Sequence, residues 1–226
     1  SNRDWYQSGG EHLEVTQVEP SAPSEEITGG DQGSKPFMVD IMSGPNYPLA
    51  KAFEMAGWRI LAVDLLFGKE HDLSKLDNQV TIRRHLKQAD FIWAALDCSD
   101  KSRIREIPRK HADGRAMPSP LRSTEFPMGV PELQGYDKER VAASNAAAEF
   151  ILGELRLHQS RGGTSGRENP ANSLHWHTPT EVGMFKQGTW WDKHYDACTL
   201  QGARRKKQCI RHDVEEIRLW PDMRCR

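Results

Sequence analysis

An α/β fold with a mostly parallel sheet and helices on both faces is the architecture this sequence predicts. Short apolar runs at residues 37–42, 58–64 and 91–96 each stop at a turn residue or an acid, as buried strands do. Helical patterns separate these runs over 49–56 and about 77–88. Strand, helix and strand therefore recur within about 30 residues, the length of a right-handed crossover unit.

The elements follow in order. Phe37, Val39 and Ile41 form a buried strand that breaks at Ser43-Gly44-Pro45. Leu49, Ala52, Phe53 and Ala56 share one helical face, and Gly57 stands where a left-handed cap ends a helix. The second strand ends in Asp64, and the nearly all-apolar run 91–96 leads to Asp97-Cys98. Residues 99–135 are rich in proline and charge without a sustained period, so a long loop is expected there. Val141, Ala148, Ile151, Leu152 and Leu155 mark the clearest helix, over 140–157, with Gly162-Gly163 at its exit. A brief strand is expected before Asn169-Pro170. Two more, at 195–200 and 208–211, flank the basic turn Arg204-Arg205-Lys206-Lys207.

At 226 residues the chain suits one medium domain and a tail. Residues 1–35 are rich in Glu, Ser, Pro and Gly, too polar to offset the entropy of ordering. A flexible tail is expected there, followed by one domain over 36–226. Lys plus Arg (31) nearly cancel Asp plus Glu (32), so affinity for a polyanion has to come from local clusters. The four cysteines, Cys98, Cys198, Cys209 and Cys225, lie far apart without a CxxC pair. Reduced thiols in an intracellular protein, nuclear or cytoplasmic, are the expectation. No apolar run approaches the roughly 20 residues of a membrane span, and no basic-then-apolar segment marks a secretory signal.

In open α/β sheets ligands bind beyond the carboxyl ends of the strands, so the residues after each apolar run are read together. Ser43-Gly44 in a turn before a helix lets backbone N–H groups approach a polar ligand. Asp64 offers two acceptor oxygens to a ribose or else stands as a solvated strand-end acid. Asp72, in His71-Asp72-Leu73, either meets an adenine amino group or caps the next turn. Cys98 is a nucleophile if a basic neighbourhood favours its thiolate, and a small inert buried residue otherwise. Lys101, Arg103, Arg105, Arg109, Lys110 and His111 follow it, either binding phosphates or forming a solvated charge run. Glu168 can protonate a base edge or act as a structural acid before a turn.

Taken in order, these residues resemble the motif series of DNA (cytosine-5) methyltransferases. Asp40-Ile41-Met42-Ser43-Gly44-Pro45, with Ala52-Phe53-Glu54-Met55-Ala56-Gly57-Trp58, is similar to the family's first motif. Asp64 and His71-Asp72-Leu73 look like its cofactor acids, and residues 90–98 resemble the strand leading to its nucleophile. Arg167-Glu168-Asn169-Pro170 resembles its Glu-Asn motif, within a likeness spanning about 37–211. The resemblance implies a Rossmann-like fold holding S-adenosylmethionine against Met42, Ser43, Gly44, Asp64, Leu65, Asp72 and Leu73. It also implies a covalent mechanism in which Cys98 attacks the sixth carbon of a flipped cytosine and Glu168 stabilises the protonated ring nitrogen. Lys101, Arg103, Arg105, Arg204, Arg205, Lys206 and Lys207 would then bind nucleic acid, DNA ahead of RNA.

The sequence departs from the family in three places. Leu96-Asp97 stands where Pro-Pro is usual, and an acid beside the thiol disfavours the thiolate. Arg204-Arg205-Lys206-Lys207-Gln208 with Arg211 only approximates the family's Gln-x-Arg-x-Arg pattern. About 15 residues follow Arg211, too few for a target-recognition region, so a protein partner that supplies it, a missing domain or lost activity is expected. The alternative function is a methyltransferase-like domain that binds nucleic acid or protein without catalysis. A metal-stabilised module using Cys198, Cys209, His212 and Cys225 is a third reading, although their spacing lacks the close ligand pairs of zinc sites. Trp176, Trp190 and Trp191 can stack on bases or belong to the core.

Overall fold

Every residue of the first strand, β1 (Phe37–Ile41), is buried, so the strand is covered on both faces. The computed structural model describes residues 35–103, 114, 119–200 and 206–225. The expected tail over 1–34, and Arg105, Arg109, Lys110, His111, Arg204 and Arg205, lie outside the described residues.

Helix α1 (Pro48–Met55) follows β1 and ends as its sequence predicts. Gly57 adopts φ 91°. Its N–H donates to the Glu54 carbonyl, and the Trp58 N–H donates to that of Phe53. This doubled bond closes the helix, and the Phe53 and Trp58 rings meet edge to face at 5.0 Å across it. The chain then forms β2 (Arg59–Val63), α2 (Leu76–Leu86), β3 (Phe91–Ala95), α3 (Gly135–Ser160) and β4 (Thr164–Pro170). Next come α4 (Pro179–Gln187), β5 (Trp191–Asp196), β6 (Lys207–His212) and the short α5 (Glu215–Arg218).

The six strands form one sheet in the order β2-β1-β3-β4-β6-β5. The pairs β1–β2, β1–β3 and β3–β4 are parallel, whereas β6 runs antiparallel to both β4 and β5. The sheet is thus mixed, three of its five strand pairs being parallel and two antiparallel. The reason lies in the connection at 197–206, which suffices for an antiparallel pair but not for a crossover. A helix also forms where a Trp- and His-rich stretch gave no helical reading: Thr178-Pro179 starts α4, with the proline at its first position. Helix α3 begins at Gly135, earlier than its apolar period indicates, and β5 lies upstream of its expected span.

The core joins Val39, Ile41, Val63, Ile92 and Ala94 of the sheet to Leu86 of α2, Ile151, Leu152 and Leu155 of α3, and Met184 of α4. Trp190 belongs to the same cluster, the core role rather than a stacking one. Arg83 of α2 and the buried Glu154 of α3 form an ion pair at 2.7 Å that ties these helices together.

Asp40 sits on β1 with 2% of its surface exposed. Its Oδ2 accepts the Ala50 N–H at 3.3 Å. Burial first, opposed by that hydrogen bond and reinforced by the nearby Asp64, pushes its carboxyl up to about 6. The folded state therefore binds this proton more tightly than the unfolded chain. The resulting stability is full below pH 4 and is lost as pH rises through 6. Asp40→Asn is expected to stabilise the protein at pH 8 by on the order of 2 kcal/mol. The gain should vanish toward pH 4. Urea unfolding across that range checks it, and a gain independent of pH would contradict it.

Candidate functional site at the carboxyl edge of the sheet

The strand order reverses at β1, with β2 on one side and β3 on the other, and such a switch point opens a crevice at the carboxyl ends. The antiparallel β6 begins, and β5 ends, at the same edge. Six strand ends therefore converge there, carrying Met42-Ser43-Gly44, Asp64, Asp97-Cys98, Glu168-Asn169, Lys206 and Tyr195.

The turn after β1 is bonded directly to Asp64. Met42 (φ 57°) and Gly44 (φ 73°) both take left-handed backbone conformations, which reverse the chain in a tight space. The Met42 N–H donates to the Val63 carbonyl at 2.6 Å, and the Gly44 N–H donates to Asp64 Oδ2 at 2.8 Å. Asp64 Oδ1 accepts the Leu66 N–H at 2.9 Å. A carboxylate has about four acceptor positions, so two remain for a ligand. The Ser43 Oγ is buried without a hydrogen-bond partner, and a Cβ built on Gly44 would meet nothing within 4 Å. The turn thus faces open space and carries an unsatisfied hydroxyl, the features a polar nucleoside ligand needs.

Met42 links this turn to the cysteine. Its Sδ accepts the Asp97 N–H at 3.3 Å, one residue before Cys98. Asp97 folds onto Ser99, accepting its N–H and its hydroxyl, each at 2.8 Å. Arg140, at the start of α3, donates to the same hydroxyl at 2.9 Å. Cys98 itself is a half-buried free thiol. Burial raises its pKa, the Lys206 ammonium pulls it down, and Asp97 and Glu168 push it up again.

Glu168 lies opposite Ala95 in the β3–β4 register, at the strand end nearest Cys98. Its Oε1 is buried without a partner, and burial raises its carboxyl pKa against the pull of Lys206. A raised carboxyl is one that can hold a proton for donation. Asn169 ties β4 to the end of β3, its Nδ2 donating to the Leu96 carbonyl at 2.7 Å. The remaining Oδ1 is buried without a partner, as is Gln208 Oε1 on β6. Ser43 Oγ, Glu168 Oε1, Asn169 Oδ1 and Gln208 Oε1 thus lie along one sheet edge with hydrogen-bonding capacity to spare. Burial, and secondarily Glu168, raises the phenol of Tyr195, placing this residue beside the same acid. Neither Tyr195 nor Arg140 stood out in the sequence, because each lies inside a segment whose pattern reports only its element.

The other expected residues separate into three groups. Leu65 is exposed in the turn after Asp64. Asp72 caps its own turn: Oδ1 accepts the Ser74 N–H at 3.0 Å and the Ser74 hydroxyl at 2.6 Å. Leu73 is a core side chain at 3% exposure, which removes that side chain from cofactor contact. Lys206 and Lys207 are exposed at the start of β6, and Arg103 donates to Thr124 Oγ1 at 3.0 Å.

Two expectations about cations are corrected. Lys101 is 1% exposed, and its Nζ donates to the Asp97 carbonyl, to Asp100 at 3.2 Å and to the Ser144 hydroxyl. Arg122 completes this network at 2.6 Å from Asp100. Lys101 therefore holds the turn after Cys98 in place and is not available to a phosphate. Arg211 is likewise internal. It bonds Glu181 at 2.8 Å and Asp192 at 2.6 Å, and its guanidinium stacks on Phe185 and Trp176. Glu181 also receives Arg167 at 2.6 Å and lies 3.3 Å from His175.

The cysteine expectation is corrected as well. Cys198 and Cys225 form a disulfide, and only Cys98 and Cys209 are free thiols among the described residues. That removes two ligands from the metal-bound reading, and no group of three or more His, Cys, Asp or Glu suited to a metal occurs among the described residues. No described helix is long and apolar enough to cross a membrane. Compared with protein-family models, curated proteins and solved structures, the chain matches none.

Proposed function

We propose that this domain binds S-adenosylmethionine at the carboxyl edge of its sheet and methylates the fifth carbon of cytosine in nucleic acid, DNA ahead of RNA. The observation that carries the reading is the Met42–Asp97 contact, which sets the Asp64–Gly44 turn beside Cys98, with Glu168 on the next strand. Asp64 would accept from the ribose hydroxyls through its free acceptor positions, and the Ser43 hydroxyl and Gly44 backbone would line the amino-acid end. When bound, the cofactor supplies an electrophilic methyl group on a sulfonium.

The chain's own residues handle the base. Cys98 Sγ bonds to the sixth carbon, which pushes electron density to the fifth, and Glu168 holds a proton on the ring nitrogen as that density develops. After transfer the fifth carbon gives its proton to water, the Sγ–carbon bond breaks with the thiolate leaving, and the ring nitrogen returns its proton to Glu168. A base stacked in a duplex cannot present these carbons, so it must be flipped out or single-stranded. Lys206, exposed beside Cys98 and Glu168, suits a phosphate near the flipped nucleotide.

A second reading has its own observation. Burial raises the Cys98 pKa, Lys206 opposes it and Asp97 and Glu168 add to it, leaving the thiol raised, as expected of a domain that binds cofactor and nucleic acid without catalysis.

Calorimetric titration with S-adenosylmethionine, followed by methyl transfer to mixed DNA and RNA, separates these readings. Binding that weakens about tenfold to a hundredfold in Asp64→Ala is expected, the loss of charge-assisted hydrogen bonds. Binding with no transfer would favour the non-catalytic domain. No binding by the wild type would remove both.

A further inference from the structure

The residues after α5 return along the outer edge of the sheet and pair with β5. The Asp196 N–H donates to the Met223 carbonyl at 2.8 Å and the Met223 N–H to the His194 carbonyl at 3.3 Å. The Cys225 N–H donates to Asp196 Oδ2 at 2.9 Å and the His194 N–H to Asp222 Oδ1 at 3.2 Å. This strap covers an edge strand whose backbone would otherwise be open to pairing. Lys193 Nζ on β5 also donates to the carbonyls of Arg218 and Trp220, so hydrogen bonds hold the segment along the edge strand. The covalent tie is Cys198–Cys225, whose Cα atoms are 6.5 Å apart, within the range a disulfide spans. Both cysteines are half-buried, so a small thiol can reach them.

Cys198 belongs to the turn Ala197–Leu200 that leaves β5. The Ala197 N–H donates to the Lys206 carbonyl at 2.9 Å, closing the connection between β5 and β6 at its base. Lys206 is the cation that acts on both Cys98 and Glu168. The bond that anchors the strap therefore also anchors the residue next to Ala197, whose N–H bonds the Lys206 carbonyl.

We propose that Cys198–Cys225 is a thiol-controlled latch: closed, it pins the C-terminal strap to β5 and holds the base of the β5–β6 connection, where the Ala197 N–H bonds the Lys206 carbonyl; open, it releases both. The latch opens by exchange with a dithiol reductant. One reductant thiolate attacks a latch sulfur, the other latch sulfur leaves as a thiolate and takes a proton, and the second reductant thiol displaces the first cysteine. The protein gains two thiols and the reductant becomes a cyclic disulfide. The strap geometry stands apart from the proposed methyl transfer. Only the consequence at Cys98 touches that site, and it is read from thiol chemistry without any need for methylation.

The test uses the full chain in three forms: treated with oxidised glutathione, treated with dithiothreitol, and as Cys198→Ser/Cys225→Ser. Intact mass reports the bond, and hydrogen exchange reports the amides of His194, Asp196, Met223 and Cys225. The latch predicts at least about tenfold faster exchange at these amides in the reduced and double-variant forms, with β1 and β3 unchanged. The charges of Lys206, Asp97 and Glu168 act on the Cys98 thiol. The pH midpoint of its alkylation by iodoacetamide, followed on its own peptide, should rise in the double variant as the lysine moves away. Two free thiols after oxidised glutathione, equal exchange rates in all three forms, or an unmoved Cys98 midpoint would each overturn the proposal. Loss of methyl transfer with these readouts intact would instead count against the proposed function.

Discussion

Cys98→Ala is expected to lower methyl transfer to cytosine by at least about a thousandfold, the scale seen when a covalent nucleophile is removed. Affinity for S-adenosylmethionine should stay as it was, because the Ser43, Gly44 and Asp64 contacts do not pass through the thiol. The turn should also persist. Its position is set by Lys101, Asp100 and Arg122, all buried, and by the Lys101 N–H donating to the Cys98 carbonyl, a backbone bond that alanine keeps. Glu168→Gln is the companion change. The amide cannot deliver a proton to the base, and a loss of about a hundredfold to ten-thousandfold is expected. Single-turnover transfer of labelled methyl groups measures both, and Cys98→Ala retaining wild-type rates would rule out the covalent route.

Glu181→Gln is expected to destabilise the fold by about 3–5 kcal/mol, the loss that follows when one member of a buried ionic cluster is removed. Glu181 is fully buried, and Arg167, Arg211 and His175 all converge on its carboxylate. Burial opposes its charge, but Arg167 and His175 overcome that and hold its pKa well below the usual carboxylate range. A depressed folded-state pKa contributes stability above the unfolded value of about 4.5, and that stability is lost as pH falls through the folded value. The variant should therefore lose most at pH 7 and progressively less as the solution is acidified. Urea unfolding at pH 7 and pH 3 measures the difference. A change under about 1 kcal/mol at pH 7 would show that the arginines find other partners.

Strands β1, β2 and β3 and the helices between them were legible in the sequence because each is short, apolar and sharply terminated. Gly57 announced its cap for the same local reason. The far side of the sheet was not legible. Nothing local in the sequence marks Arg167, Arg211 and Glu181 as buried, yet they are, because each neutralises another across β4, β6 and α4, a pairing separated by 14 to 30 positions along the chain. Lys101 misled in the same way, since a basic residue after Cys98 looks like a phosphate contact until Asp100 and Ser144 are seen around it. At the candidate site, Asp64, Gly44, Cys98 and Glu168 were found because strand ends are where α/β sheets place ligands. The Met42 Sδ contact that unites them, and the neighbouring Tyr195, depend on side-chain placement that no periodicity encodes.

The central claim is that one thiol at this sheet edge attacks cytosine while a methyl donor is held beside it. Incubating the protein and S-adenosylmethionine with oligonucleotides containing 5-fluorocytosine tests it most directly. Fluorine at the fifth carbon cannot leave as a proton does, so the methylated intermediate should stay bonded to the enzyme. Peptide mass analysis should then find the nucleotide, carrying one methyl group, on Cys98 alone, with no adduct in Cys98→Ala. Methylation of ordinary cytosine with no such adduct, or an adduct on another residue, would contradict the account.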